Sequence, residues 1–144
     1  MEIIFKSKIN KEFYGFDDNM FFKLDNGQIW IQSRYKYRYM YKYRPNVNIL
    51  RECGRFYIQV EGMDEVVEVK RAADYIESII VNDFEGWKGE TTFELSNGQI
   101  WKQSGYSYRY HYAYRPEVII YNDGYGYNMK VDGIPNTISV KRVR

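Results

Sequence analysis

Two rows of alternating tyrosines are the part of this chain best suited to recognising another molecule. Tyrosine fills every second position in 35–43 and again in 106–114, which accounts for ten of the 16 tyrosines. We call these the first and the second tyrosine row. In an extended chain, alternate side chains point to one side. Each row would then present flat rings with hydrogen-bonding hydroxyl tips, at a low cost in conformational entropy.

The residues between the tyrosines differ between the rows. They are mostly basic in the first row: Arg34, Lys36, Arg38, Met40, Lys42 and Arg44. They are mostly neutral in the second: Gly105, Ser107, Arg109, His111, Ala113 and Arg115. Two interpretations stay open. The tyrosines pack half-buried around a barrel, or part of each row forms an aromatic surface edged by guanidinium groups that holds a protein segment, a nucleotide or a single strand.

The candidate ligand-binding residues are chosen from those that agree between the two rows. They are Tyr37, Arg38, Tyr39, Tyr41 and Arg44 in the first row, and Tyr108, Arg109, Tyr110, Tyr112 and Arg115 in the second. Arg38 and Arg109 are the strongest candidates, because a charged side chain between tyrosines does not suit a core. Arg44 and Arg115 each precede a proline, and their alternative role is to end the segment.

The rows belong to an internal duplication. The segment 22–45 returns at 93–116, and the register continues without a gap, so that Gly62 matches Gly133 and Val69 matches Val140. Self-similarity at a fixed spacing indicates repeated structural units. We therefore predict two domains, 1–73 and 74–144, with a boundary near Ala72–Asp74.

Each copy has the sequence pattern of β-strands. Phe22 and Leu24 alternate with polar residues before Asn26-Gly27, which predicts a hairpin with a two-residue type I′ turn. That turn would pair Leu24 with Ile29 and Lys23 with Trp30, placing Leu24 and Ile29 on one face. Opening strands are predicted at 9–16 and 80–87, and three more follow at 47–50, 55–60 and 66–70 in the first copy.

These patterns predict an all-β protein with five or six strands per copy. Small all-β units avoid open edges by closing into barrels, and an SH3-like barrel fits the strand count. The predicted fold is therefore two tandem SH3-like barrels. We also predict that Trp30 and Trp101 pack inside, because large aromatic rings usually bury area. A straight strand over 29–44 would span about 50 Å, so this segment is predicted to bend, bulge or project.

The second copy resembles a bacterial family of uncharacterised function. Its stretch Phe84-Glu-Gly-Trp-Lys-Gly-Glu-Thr-Thr-Phe-Glu-Leu-Ser-Asn-Gly-Gln-Ile-Trp-Lys-Gln is similar to that family's motif, FxGWxGxTxFxLxNGQxWxQ. The first copy departs from the motif, with Phe16-Asp-Asp-Asn-Met-Phe in place of the Trp-x-Gly-x-Thr stretch. The resemblance implies a small barrel, often attached to other proteins or exported. It implies no activity and identifies no functional residue.

No pattern in the sequence indicates catalysis. His111 is the only histidine and has no matched carboxylate, and Cys53 has no histidine nearby in sequence. No phosphate-binding loop, zinc spacing or nucleophile elbow is present. We predict a protein that is not an enzyme and has no metal and no cofactor. One cysteine, the absence of a long apolar run and an N-terminus unlike a secretion signal predict a cytoplasmic protein without a membrane segment.

The charge distribution bears on the partner. Residues 1–71 carry 13 Lys/Arg and 10 Asp/Glu, a net charge of +3, and residues 72–144 carry 8 and 9, a net charge of −1. The whole chain has a net charge of +2, too small to imply a polyanion partner. The first functional hypothesis is an adaptor that binds a protein partner. The second is binding of a nucleic acid or nucleotide, and a structural or toxin- or defence-associated role is the third. The sequence leaves the oligomeric state undetermined.

Overall fold

The computed structural model describes residues 1–72 and 74–144 of the chain. The chain divides into two compact units, Met1–Ala72 and Ala73–Arg144. Ala73, within the predicted boundary Ala72–Asp74, lies outside the described residues. The described residues form sixteen strands and no helix, so the prediction of an all-β protein is confirmed.

Each unit contains eight strands. Those of the first unit are β1 (Glu2–Lys8), β2 (Glu12–Phe16), β3 (Phe21–Lys23), β4 (Ile29–Gln32), β5 (Arg38–Tyr43), β6 (Asn46–Glu52), β7 (Arg55–Val60) and β8 (Val67–Arg71). Those of the second unit are β9 (Tyr75–Ile79), β10 (Phe84–Lys88), β11 (Thr92–Glu94), β12 (Ile100–Gln103), β13 (Tyr108–Ala113), β14 (Glu117–Asn122), β15 (Tyr127–Val131) and β16 (Ile138–Arg142).

The two units share one topology. In the first, a six-stranded sheet has the order β1-β6-β7-β8-β4-β3, and β2 pairs with β5 in a separate two-stranded sheet. In the second, the six-stranded order is β9-β14-β15-β16-β12-β11, and β10 pairs with β13. All the strand pairs are antiparallel. Three tyrosines of each row therefore lie on a strand of a two-stranded sheet, β5 or β13.

The predicted hairpin forms, but its register and turn type were predicted wrongly. Phe22 pairs with Trp30 and Lys23 with Ile29, one residue away from the predicted pairing. The loop has three residues, since the N–H of Leu24 donates to the carbonyl of Gln28 (2.9 Å). Gly27 has a positive φ of 87° and Asn26 does not, which is the pattern of a type I turn followed by a glycine bulge. The Asn26 side chain stabilises this loop by accepting from the N–H of Gln28 (3.0 Å).

The shift in register changes which side chains share a face. A slip of one residue moves a strand's side chains to the opposite side of its partner. Phe22, Leu24 and Trp30 consequently pack together in the core of the first unit, whereas Ile29 does not belong to this cluster. The predicted grouping of Leu24 with Ile29 was therefore wrong, and the prediction that Trp30 packs inside is confirmed.

The strand count was also underestimated. The predicted opening strand at 9–16 contains β2, whereas β1 before it was not predicted, and an isolated bridge from Ile9 to Leu24 lies between the two. Lys11 between them has a φ of 79°, in the left-handed region where a strand cannot continue. The second unit repeats the division with β9, a bridge from Ile80 to Leu95, and β10.

Each unit buries its own hydrophobic core. The first core is built on Phe13, Phe16, Phe22 and Trp30 with aliphatic residues of β6, β7 and β8. The second is built on Phe84, Trp87, Phe93 and Trp101 with the corresponding strands. Two-stranded and six-stranded sheets thus enclose one aromatic-rich interior in each unit.

No helix among residues 1–72 and 74–144 is long and apolar enough to cross a membrane.

Candidate recognition surface

Both tyrosine rows are exposed. The five tyrosines of the first row are 49–66 % exposed, and those of the second row are 58–97 % exposed. Exposure alternates along 35–43, where each tyrosine is exposed and each residue between two tyrosines is only partly exposed. The interpretation in which the tyrosines pack half-buried around a barrel is therefore wrong for both rows. Ten phenol rings remain available for contact with another molecule.

The segment between β4 and β5 interrupts the strand, as predicted from its length. Residues 33–37 are not in a strand, so Tyr35 and Tyr37 precede β5, while Tyr39, Tyr41 and Tyr43 lie on it. The alternation of exposure nevertheless continues through the interruption. In the second row, Tyr106 precedes β13, Tyr108, Tyr110 and Tyr112 lie on it, and Tyr114 follows it.

A buried glutamine in each unit holds the segment that leads into the row. Gln32 is 1 % exposed, and its Nε2 donates to the carbonyl oxygens of Arg34 (3.0 Å) and Lys36 (3.1 Å). Its Oε1 accepts from the backbone N–H of Asp17 (3.1 Å). In the second unit, Gln103 donates to the carbonyl of Ser107 (2.9 Å) and accepts from the N–H of Gly89 (2.8 Å). Sequence analysis missed these residues, although their identity in both copies was an available signal.

Close contact between two backbones sets the position of β5 and β13. A Cβ added to Gly15 would lie 2.0 Å from the carbonyl oxygen of Arg38, and one added to Gly86 would lie 1.8 Å from that of Arg109. Both glycines have a positive φ, 98° and 97°, and both sit at a shift in register. Only glycine allows this approach, because any side chain would overlap the facing strand. The tyrosines are therefore displayed from a strand packed tightly on its partner.

Arg38 is held by a carboxylate rather than left free. Its Nη1 donates to Oε1 of Glu65 at 2.8 Å, and Nζ of Lys36 lies 2.9 Å from Oε2 of the same residue. The hydrogen bond from Arg38, followed by that from Lys36, lowers the pKa of Glu65 below its usual value. In the second unit, the matching Arg109 donates to the side-chain oxygen of Asn136 at 3.4 Å. Arg38 thus has a structural partner within its own unit.

Arg44 also has an internal partner. Its Nη2 donates to Oδ2 of Asp25, and Oδ1 of the same carboxylate accepts from Nδ2 of Asn10 (3.2 Å). The hydrogen bond from Asn10, and then that from Arg44, lowers the pKa of Asp25. Arg44 and Arg115 have φ values of 50° and 47°, so both copies turn sharply before the buried prolines Pro45 and Pro116. This geometry matches the alternative prediction that these arginines end the segment.

The tyrosines and the intervening residues lie on opposite sides of the strand. On β5 the exposed residues are Tyr39, Tyr41 and Tyr43, and the partly buried ones are Arg38, Met40 and Lys42. The structure therefore groups the candidate tyrosines of each row on one surface. It directs Arg38 and Arg109 away from that surface, so neither guanidinium interleaves with the tyrosines of its strand. The result is an aromatic, hydroxyl-rich face, which Glu12 of β2 borders opposite Tyr43 and Lys88 of β10 borders opposite Tyr108.

The remaining candidates for chemistry do not assemble into a site. Among residues 1–72 and 74–144, no three His, Cys, Asp or Glu side chains are placed to hold a metal ion. Cys53 is exposed in a turn, and His111 is partly buried on β13 opposite the tyrosines. An open pocket of about 180 Å³ lies beside β10 and includes Asp83, Glu85, Lys88 and Thr91. None of the row tyrosines lines it.

Comparison with known proteins finds no relative: the chain matches no protein-family model, no curated protein and no solved structure.

Proposed function

We propose that this chain is a non-catalytic binding module, built of two SH3-like barrels, that docks a protein partner on its tyrosine rows. The observation that carries the proposal is the exposure of all ten row tyrosines, from 49 % to 97 %. Tyrosine is enriched where proteins bind one another, because a rigid ring provides contact area and a hydroxyl provides hydrogen bonds. A folded domain that displays so many rings on strands held by glycine and glutamine has a surface suited to recognition.

The fold supports the barrel part of the proposal. Each unit encloses a single core between a six-stranded antiparallel sheet and a separate two-stranded sheet. Antiparallel strands wrapped around one aromatic core are characteristic of small barrels. The same strand order in both units is what a tandem of such barrels requires.

The charges favour a protein partner over a nucleic acid. A nucleic-acid surface places Lys and Arg where they neutralise phosphates next to stacked bases. Here Arg38 and Lys36 are paired with Glu65, and Arg44 with Asp25. The side chains between the tyrosines lie on the opposite side of β5. A single-stranded nucleic acid stacked on the rings would therefore not meet Arg38. The exposed side of each row strand carries only tyrosines, which matches the depletion of charge at the centre of protein interfaces.

Selection from a displayed peptide library tests the proposal. The bait is the full chain, compared with a variant that replaces three tyrosines in each row: Tyr37→Thr, Tyr39→Thr, Tyr43→Thr, Tyr108→Thr, Tyr110→Thr and Tyr112→Thr. Threonine keeps the preference for a strand while removing the ring. Tyr125→Thr is the matched control, since Tyr125 is 95 % exposed and lies outside both rows. We expect peptides that bind the wild type and the control but not the six-site variant.

Binding of single-stranded DNA is measured in parallel. Contact with several phosphates weakens affinity roughly 10³-fold or more between low and moderate salt. Peptide binding through tyrosine rings should change little over that range. Selection of no peptide that depends on the tyrosines, together with tight and steeply salt-dependent DNA binding, would replace the protein partner with a nucleic acid.

A further inference from the structure

We infer that the partner docked by the tyrosine rows is a second copy of this chain, so that the rows join like chains face to face. This inference rests on the proposed function, since it names the protein that the rows bind. Three properties of the rows carry it: their lack of charge, the area they expose and the spacing of their rings.

The absence of charge makes a like-with-like contact favourable. Two identical surfaces that carry net charge repel one another, because each charge meets a copy of itself. The exposed side of β5 has only Tyr39, Tyr41 and Tyr43, and the cations of this strand lie on the other side. On β13 the exposed side has Tyr108, Tyr110 and Tyr112. Two such rows can meet ring against ring along β5 or β13, with Glu12 of β2 and Lys88 of β10, opposite Tyr43 and Tyr108, to one side of the contact.

The exposed area is sufficient for a stable contact. A large aromatic side chain contributes about 150–250 Å² when it is buried. With exposures of 49–66 % in one row and 58–97 % in the other, five rings supply roughly 500–900 Å² per row. A specific interface of standard size buries about 800 Å² on each partner. One row therefore exposes most of the area that an interface of standard size needs, and two rows together expose more than that area.

The spacing of the rings suits interdigitation. Alternate residues of a strand are roughly 6.7 Å apart. A flat ring placed between two others needs roughly 7 Å, since stacked carbon atoms approach to about 3.5 Å. The twist of the strand spreads neighbouring side chains apart, which supplies the small difference between the spacing of the rings and the gap that an inserted ring needs. A row from one chain can thus insert its rings between those of another, while hydroxyl tips reach polar groups at the base.

The strand edges favour contact through the faces. In the described residues β5 pairs only with β2, and β13 only with β10, which leaves one edge of each without a strand partner. Natural proteins guard such edges against pairing with bulges and inward-pointing charges. Both devices are present: each pair has a shift in register, and Arg38, Lys42 and Arg109 point away from the exposed side. Association through the exposed rings is therefore favoured over pairing of the strand edges.

Sedimentation velocity of the full chain across micromolar to millimolar concentration tests the inference. We expect the wild type to form dimers or larger species as concentration rises. Replacing one row (Tyr37→Thr, Tyr39→Thr, Tyr43→Thr) should raise the dissociation constant by about tenfold or more. Replacing both rows with the six-site variant should leave a monomer over the whole range. The control Tyr125→Thr and an unchanged circular dichroism spectrum show that the loss comes from the row and not from unfolding.

Two results would overturn the inference. One is a wild-type chain that stays monomeric at every concentration. The other is association that the six-site variant retains. A wild-type chain that stays monomeric leaves the proposed function intact when peptide selection still depends on the tyrosines, since the partner is then a different protein. If neither self-association nor peptide selection depends on the tyrosines, the proposed function fails as well.

Discussion

At the scale of single residues, the two copies act as controls for one another. A position that has a polar group in one copy and none in the other shows what the fold tolerates. Phe16 and Trp87 are such a pair, both 2 % exposed in the aromatic core of their unit. Glu65 and Asn136 differ in charge instead, and each is the partner of a matched arginine. Comparing these positions leads to two predictions.

The two buried tryptophans of the second unit should respond differently to replacement by phenylalanine. The N–H of Trp87 has no hydrogen-bond acceptor among the described residues, whereas that of Trp101 donates to Oε1 of Gln99 at 3.0 Å. Removing an unsatisfied buried donor recovers roughly 1–3 kcal/mol of desolvation cost, which offsets the lost ring contacts. We expect Trp87→Phe to change the free energy of unfolding by at most about 1 kcal/mol, and Trp101→Phe to lower it by about 2 kcal/mol.

Urea unfolding of both variants and the wild type measures this difference. Phe16 in the first unit shows that phenylalanine is accepted at the position of Trp87. A larger loss for Trp87→Phe than for Trp101→Phe would contradict the prediction.

The contribution of Glu65 to stability should depend on pH. Hydrogen bonds from Arg38 and Lys36 lower its pKa below the usual 4.5. A group with a lowered pKa in the folded state stabilises the protein above its unfolded pKa, and the contribution is lost as pH falls through the folded pKa. We expect Glu65→Gln to be less stable than the wild type at neutral pH, by a small margin because the pair is exposed to solvent. The margin should close as the pH falls below 4.5.

Denaturant unfolding of the wild type and Glu65→Gln at a series of pH values provides the measurement. Arg38→Met is the matched variant, because it removes the largest cause of the lowered pKa from the other side of the pair. A margin that stays constant into acid would show that Glu65 acts through packing instead of through its charge.

At the scale of elements, the pairs β2–β5 and β10–β13 depend on a glycine that touches the facing strand. Gly15 and Gly86 combine a positive φ with a backbone carbonyl within 2.0 Å and 1.8 Å of an added Cβ. A side chain there requires the strands to separate, which would also displace the tyrosine row. These pairs are therefore the elements on which the recognition surface depends most.

We expect Gly86→Ala to lower the free energy of unfolding by about 3 kcal/mol or more, or to prevent folding of the second unit, because both the backbone conformation and the contact are lost. Gly126→Ala is the control, since Gly126 has no atom within 4 Å of an added Cβ and no positive φ. Its effect should stay within about 1 kcal/mol. Thermal and urea unfolding compare the two. Equal stability of both variants would show that the strands separate at little cost.

At the scale of the whole molecule, duplication gives the chain two candidate recognition surfaces in place of one. The copies keep the tyrosines of both rows while the intervening residues differ, so that the net charge of residues 1–71 is +3 and that of residues 72–144 is −1. The exposed rings of β5 and β13 are little affected by that difference, because the side chains between them lie on the other side of the strand. Two equivalent faces on one chain raise effective affinity whenever both can be engaged.

The all-β class and many strand positions were predictable from the sequence, because alternating hydrophobicity and turn residues act locally. The strands at 55–60 and 66–70 correspond closely to β7 and β8. The register of the hairpin was not predictable from the sequence, since Asn-Gly permits both a two-residue turn and a three-residue loop with a glycine bulge. Packing of Phe22, Leu24 and Trp30 in one core accompanies the three-residue form.

The identity and alternation of the tyrosines were determined by the sequence alone, and so was the repeat that places a row in each half. Their exposure was decided only by the tertiary structure. A row of rings can line a core or face solvent with the same spacing, and the choice depends on which side of β5 meets the rest of the unit. Gly15, Gln32 and Glu65, distant in sequence from one another, fix that side through contacts that no local pattern encodes.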